Sequence, residues 1–344
     1  MQRETRRHDK VRVLFFHNIR VSWTRRDLHV LSQHFDTREI YFRRRLSDLF
    51  RLARYGREAD VFFCWLGNTS TFVATLFARA YRKRCIVIAG GDDVVNLPEI
   101  KYGAMRPGVR NVLRRTLCRL ALRSADRVLA VSRATRKDAI ENAGVSAGKI
   151  FVMYHGFDVN GPVDFSEKAR SLVITVGEVK RDNLERKGLR IFVESARHVP
   201  EATFVVVGRW VDKSVERLMR IASPNVFFTG YVPDSELRAY LERAKVYVQI
   251  SAHEGFGCSL AEAMSCGCVP VVTGRFAIPE LVGDCGVYVP AADARLAADG
   301  IRRALRLDNS CGERCRERVR TSFPLERREA DVLRHVIEVA SAQT

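Results

Sequence analysis

The sequence lacks a long apolar run, paired cysteines at metal-ligand spacing and any excess of acid, and each absence removes a class of function. Its longest uncharged stretch, residues 61–78, is broken by Gly67, Asn68, Thr69, Ser70 and Thr71, which does not suit a membrane-spanning helix. It reads instead as a strand over 61–66, a loop, and a helix capped near Ser70. The first ten residues, MQRETRRHDK, hold no apolar secretion signal, so a cytoplasmic protein is expected. The nine cysteines form no Cys-x-x-Cys pair and no histidines cluster near them. Neither a zinc site nor a disulfide framework follows, and thiols in a reducing compartment are the simplest account. The chain also has no internal repeat, no low-complexity tract and no Asp-x-Asp pair.

What is present is a 344-residue chain, 47% apolar, long enough for two ordinary domains. Its net charge of +18 is unevenly placed, with +16 in residues 1–160 and +2 in the remainder. The basic half should attract an anionic partner: a membrane surface, a phosphorylated acceptor or nucleic acid. Nucleic acid is not expected, because basic and aromatic residues do not interleave. Two segments are basic and amphipathic. Arg43–Arg45 leads into LSDLFRLARYGR, where Leu46, Leu49, Phe50 and Ala53 share a face, and residues 109–123 place Leu113, Leu117 and Leu120 together. Such helices either lie on anionic lipid or pack on a sheet with their arginines in water.

Short apolar runs alternate with helical patterns along the chain. Strands are expected at 11–17, 61–66, 85–89, 127–131 and 150–153, and helices at 27–35, 71–81 and 109–123, the first opened by Thr24-x-x-Asp27. The pattern restarts after Asn160-Gly161-Pro162, with strands at 172–176, 202–207, 226–229, 246–250 and 269–273. Helices are expected between them at 188–197, 212–221 and 235–244, and later at 259–265, 294–307 and 325–340. This alternation favours parallel sheets covered on both faces, with ligands at the carboxyl ends of the strands. The expected domains are 1–160, 161–324 and a closing helix over 325–344.

Residues 253–263, HEGFGCSLAEA, carry the strongest chemical signal. A strand precedes Gly255 and Gly257, and a helix follows from near Ser259. Strand, glycine bend and helix aim backbone N–H groups and a positive helix end at an anion. Glu254 and Glu262 flank the bend and can accept hydrogen bonds from hydroxyl groups. Anion plus hydroxyls points to a nucleoside diphosphate sugar. Ser259 and Glu262 also fit a Ser-x-x-Glu capping box, which would serve only the helix.

The longer run over 252–290, AHEGFGCSLAEAMSCGCVPVVTGRFAIPELVGDCGVYVP, resembles the donor-site signature of retaining glycosyltransferases of family 4. The spellings GGDDV and YHGFD resemble archaeal members. The resemblance implies an α/β protein of the GT-B fold, two facing Rossmann-like doubly wound domains with a cleft between them. The first would bind the acceptor, the second the nucleotide sugar, and the final helix would pack back on the first. It also implies roles. Glu254 would face the transferred sugar and Glu262 the ribose hydroxyls, while the N–H groups of Phe256, Gly257, Cys258 and Ser259 would meet sugar hydroxyls and phosphate. Lys187, before Gly188, would stabilise the departing diphosphate. The family usually has an Arg where this chain has Glu178, and Lys180, Arg181 or Arg186 would take its place. Backbone around Val232 in GYVPDSEL would hold the base, although a helix capped by Asp234 or Ser235 reads equally well there.

In the first half, Gly90-Gly91-Asp92-Asp93 ends a strand. Asp92 is a candidate for orienting the sugar or the acceptor hydroxyl, with Gly91 and Asp93 beside it. His17 and His155 are further cleft candidates; the first fits a packed histidine equally well, the second a hinge. No metal or cofactor is expected. The resulting reading is a retaining hexosyltransferase moving a hexose from a nucleotide sugar to a hydroxyl acceptor, cytoplasmic or peripheral at the inner face of the membrane. A GT-B phosphorylase, a nucleotide-sugar epimerase and a basic membrane- or nucleic-acid-binding protein are the alternatives.

Overall fold

Six short strands in each half pair side by side, every ladder parallel. A computed structural model describes residues 11–342. These divide into two compact units, 11–156 with 325–342, and 157–324.

The first unit holds β1 (Arg12–His17), β2 (Asp36–Tyr41), β3 (Val61–Trp65), β4 (Arg84–Ala89), β5 (Arg127–Ala130) and β6 (Ile150–Val152), in the order β2-β1-β3-β4-β5-β6. Its helices are α1 (Ser22–His34), α2 (Leu46–Glu58), α3 (Thr69–Ala80), α4 (Val112–Ser124), α5 (Arg133–Glu141) and, from the far end of the chain, the 17-residue Leu325–Ser341 helix. β3 is buried along its whole length, as a strand covered on both faces must be. Phe15 stacks on Phe63 within this layer, and Leu14, Phe16, Phe62, Val87 and Leu122 belong to one continuous core.

The second unit holds β7 (Ala169–Val176), β8 (Thr203–Val207), β9 (Val226–Gly230), β10 (Ala244–Gln249), β11 (Val269–Thr273) and β12 (Val287–Val289), in the order β12-β11-β10-β7-β8-β9. Between them run α6 (Arg181–Arg186), α7 (Leu189–Ala196), α8 (Ser214–Ile221), α9 (Asp234–Arg243), α10 (Cys258–Ser265) and α11 (Ile278–Val282). Next come α12 (Ala294–Arg306) and α13 (Asn309–Ser322), and the helix over Leu325–Ser341 is α14.

Both sheets reverse direction once. The chain leaves β1 toward β2 and returns on the other side to β3; it leaves β7 toward β8 and β9 and returns to β10. At such a reversal the loops after two neighbouring strands splay apart, which opens a crevice at their carboxyl ends. The two reversal points therefore locate the candidate sites.

Several sequence expectations need correction. The first helix starts at Ser22, not Asp27. Thr24 lies in its first turn, where its hydroxyl receives the Val21 N–H and donates to the Val21 carbonyl. Asp27 points inward instead of capping, and Arg328 of α14 grips it with both guanidinium arms at 3.0 and 2.6 Å. β2 was not expected because DTREIY buries only Ile40, as befits an edge strand. α5, α6, α11, α13 and β12 were also not expected. In α2 the inward residues are Asp48, Leu52 and Gly56, whereas Leu46 and Phe50 face solvent. Among the described residues no helix is long and apolar enough to cross a membrane.

Candidate active site

β10 has two faces of different chemistry. Val246, Val248 and Ile250 enter the core of the second unit, while Tyr247, Gln249 and Ser251 project from the other face, all buried. The Tyr247 hydroxyl donates to Gln249 Oε1 at 3.3 Å. Burial raises its pKa, helped by the fields of Glu254 and Glu262, while a hydrogen bond with Ser259 opposes the shift. Tyr247 is therefore a neutral hub beneath the two acids. Ser251 Oγ donates to Glu254 Oε1 at 3.2 Å.

The loop after β7 joins this group because glycine lets it approach. Gly188 has φ +72°, and a Cβ there would lie 2.2 Å from the Ile250 carbonyl oxygen. Any side chain would push the Lys187 turn off the end of β10. Lys187 in turn lies across Gly177, where a Cβ would come 2.8 Å from its Cδ. The Ala252 N–H donates to the Arg186 carbonyl at 2.8 Å, which fastens the two loops together.

The result is a buried carboxylate between two cations. Glu254 Oε1 is 3.4 Å from Lys187 Nζ and 3.5 Å from Arg186 Nη1. Burial favours a neutral Glu254, but Lys187 and Arg186 outweigh it and hold the pKa below the ordinary carboxylate value. Burial, reinforced by Arg186 and opposed by Glu254, lowers the His253 pKa to about 4, so that ring is neutral. Arg186 is aimed by Asn183 Oδ1, which accepts from its Nε and Nη2 at 3.2 and 2.7 Å.

The elbow itself turns at Gly257, with φ +104°, and α10 begins at Cys258. No side chain caps this helix, so Ser259 and Glu262 do not form the capping box. Phe256 stacks on Phe157 and meets Phe323 edge-on, so it offers the site only its backbone. Cys258 and Glu262 are half-buried. Gln249 Nε2, 3.7 Å from where a Gly257 Cβ would lie, has no hydrogen-bond partner among the described residues.

Known proteins match both halves. Residues 4–160 match the family described as Glycosyltransferase Family 4, and residues 170–307 match Glycosyl transferases group 1. The chain is a pair of glycosyltransferase domains in the GT-B fold. The fold is that of the Anabaena protein HepE, solved with UDP and glucose, at TM-score 0.72 and 17% identity over 96% of this chain and 99% of that one. Sucrose-phosphate synthase from Thermosynechococcus elongatus matches at TM-score 0.74 and 16% identity, over 96% of this chain and all of that one. Among curated relatives, O-antigen chain mannosyltransferase B of Escherichia coli is 40% identical over 83 residues, 24% of this chain and 22% of that protein. A phosphatidylinositol N-acetylglucosaminyltransferase component of Arabidopsis thaliana is 26% identical over 192 residues, 54% of this chain and 43% of that one. The chain thus spans less than half the length of these two relatives.

Not every residue singled out in the glycosyltransferase domains joins the Glu254 cluster. Of the three basic candidates near Glu178, only Arg186 reaches it. Lys180 pairs with Glu178 at 3.0 Å, and the Arg181 side chain is exposed while its backbone N–H donates to Asp212. Val232 follows β9, two strands from β7, and α9 starts after Pro233 without a cap from Asp234 or Ser235. In the first unit His17 is buried: Nε2 lies 2.8 Å from Glu39 and Nδ1 meets the Ile19 carbonyl. His155 stacks on Trp65 and meets Trp23 at a tilt; burial, with Arg328 and Arg26, pushes its pKa well down. Asp92 pairs with Arg114 at 2.6 Å. Asp93 accepts N–H groups of Gly67, Gly90 and Gly91 at 2.7–3.0 Å and ties together the loops after β3 and β4. Burial still raises its pKa to about 6.

Sequence reasoning missed Tyr247, Gln249, Ser251 and Asn183. The first three were readable as a polar stripe at alternate positions of a strand whose other face is apolar. Asn183 left no signal, because its role depends on a short helix that the sequence did not announce.

Proposed function

We propose that the chain is a retaining glycosyltransferase that moves a hexose from a nucleotide diphosphate sugar to a hydroxyl acceptor. The observation that carries this reading is the pairing of Lys187 and Arg186 with an ionised Glu254 at the reversal point of the second sheet. Two half-buried cations flank one buried carboxylate beside the elbow. A diphosphate gains negative charge as the glycosidic bond breaks, so these cations stabilise the transition state more than the bound donor. They supply that neutralisation from the protein's own side chains.

Glu254 receives a hydroxyl of the transferred hexose and keeps the sugar over the elbow. Glu262, on α10, receives the ribose hydroxyls. The first-turn N–H groups of α10 face the phosphates. Attack by the acceptor on the face that the diphosphate leaves retains the anomeric configuration, and the departing phosphate takes the acceptor proton. The names of relatives agree with a sugar transferase: two are mannosyltransferases, and HepE was also solved with UDP-glucose.

The test is a thermal-shift panel of UDP-, GDP- and ADP-sugars, since a ligand bound only by the folded state raises its melting temperature. One nucleotide should stabilise the protein, and Glu262→Ala should abolish most of that shift. A panel with no response, or a response indifferent to Glu262, would remove the donor assignment.

A further inference from the structure

The reversal point of the first sheet carries a second site of different character. A groove of ≈ 910 Å³ opens at the carboxyl ends of β1 to β4, walled by the first turns of α2, α3 and α4. Part of its lining is cationic. Arg44 reaches Thr69 Oγ1 at 3.1 Å and Arg110 lines the groove as well, and neither is in an ion pair among the described residues. Thr69 and Ser70, the first residues of the 12-residue α3, also line it. There Ser70 lines the groove, nine-tenths buried, its Oγ without a hydrogen-bond partner among the described residues. The acids nearby are already committed, Asp92 to Arg114 and Asp93 to backbone N–H groups. Arg44 (φ +64°) and Leu66 (φ +67°) both hold a left-handed backbone at this rim, a strain retained where it positions something.

Another part of the lining is apolar, and exposed apolar side chains neighbour it in sequence. Leu49 and Leu113 line the groove, and Leu113 is 70% exposed. Beyond it Leu46 and Phe50 on α2 are 75% and 74% exposed, and Val109 before α4 is 91% exposed. A free sugar or a polysaccharide gives no reason to keep such residues in water. An anion with a hydrocarbon chain accounts for both kinds of lining at once. We propose that this groove binds a lipid that carries a phosphate, with the phosphate between Arg44 and Arg110 and the chain running over Leu49 and Leu113 toward Phe50. Guanidinium forks match phosphate oxygens. As the acceptor class, this lipid rests on the transferase reading above; as a binding site, the groove stands without it.

The test titrates the full chain, with no nucleotide present, against dihexanoyl phosphatidic acid below its micellar concentration and against glycerol 3-phosphate, by calorimetry. The lipid should bind at least about tenfold tighter, because each buried methylene contributes. Arg44→Gln with Arg110→Gln should weaken both ligands about tenfold or more, and Leu113→Ser only the lipid. Arg54→Gln with Arg57→Gln, which removes the same charge from the exposed side of α2, should change neither. Equal affinity for the two ligands, with Leu113→Ser silent, would leave a free-phosphate site and overturn the lipid. An equal loss in the Arg54/Arg57 control would reduce binding to bulk charge and overturn the site. Nucleotide binding and the Glu262→Ala shift are read separately, so lipid binding without nucleotide binding would sink the transferase reading alone, and the converse would sink this inference alone.

Discussion

The two units use the same six-stranded parallel sheet, reversed once, to make opposite kinds of site. In the second unit the loops after β7 and β10 close on each other, and a buried carboxylate sits between two half-buried cations. In the first, the loops after β1 and β3 touch only through the Asn68–Asn18 side-chain hydrogen bond at 3.0 Å among the described residues and border an open groove, with arginines in water and apolar side chains exposed. A closed site is built from short-range contacts among specific residues, so its parts recur as a motif. An open site is built from shape and charge, so many sequences serve. The charge balance agrees, with nearly all of the surplus in the first half.

The largest expected effect tests whether the first unit depends on its returning helix. Arg328→Ala leaves Asp27 as a buried, unpaired carboxylate and removes a cation over the Trp65 ring. It should cost about 3–5 kcal/mol in urea unfolding, read as early loss of Trp fluorescence, while nucleotide affinity in the second unit persists. Next, Lys187→Ala should lower kcat by about a hundredfold, near 3 kcal/mol, with a smaller change in donor affinity; an enzyme at full speed would make the closed cluster structural. Gly188→Ala puts a Cβ against the Ile250 carbonyl at a left-handed φ, and should cost about 2 kcal/mol in stability while loosening donor binding.

The smallest effect is pH-dependent and belongs to the first unit. The folded-state pKa of Asp93, about 6, stands above its value of 3.8 in an unfolded chain. Its contribution to stability is therefore fully present below pH 4 and is lost as pH rises through 6, by on the order of 2 kcal/mol. Melting temperatures of the wild type and Asp93→Asn between pH 4 and 7 isolate this term. The variant should lack that slope and be less stable throughout, because an amide NH₂ cannot accept all the N–H groups that now converge on the carboxylate. Equal slopes would place the titration elsewhere.

Sequence legibility follows the same division. The strand positions in both halves were readable because fully buried parallel strands are continuous apolar runs, as in VFFCW and VPVVT. The edge strand DTREIY was not, since one buried residue in six leaves no period. In the second unit the glycine elbow was legible from two glycines between a strand and a helix, whereas the Lys-Gly turn was legible only through the family resemblance. The choice of Arg186 over Arg181 was not, because it depends on which face of a six-residue helix turns inward. In the first unit Asp92 and Asp93 could be named as acids, but their partners, Arg114 and three N–H groups, come from separate loops. The exposure of Leu46 and Phe50 was hidden too, since hydrophobic periodicity reports an apolar face without saying what covers it.

The helix that closes the first unit is made after the whole of the second. Until residues 325–341 leave the ribosome, Asp27 has no counter-ion, and β3, β4 and α1 lack the helix that covers them. The second unit, continuous from 157 to 324, is complete before that moment. The first unit therefore waits for its last helix until all of the second has been synthesised. During that wait its uncovered sheet is what a chaperone would hold.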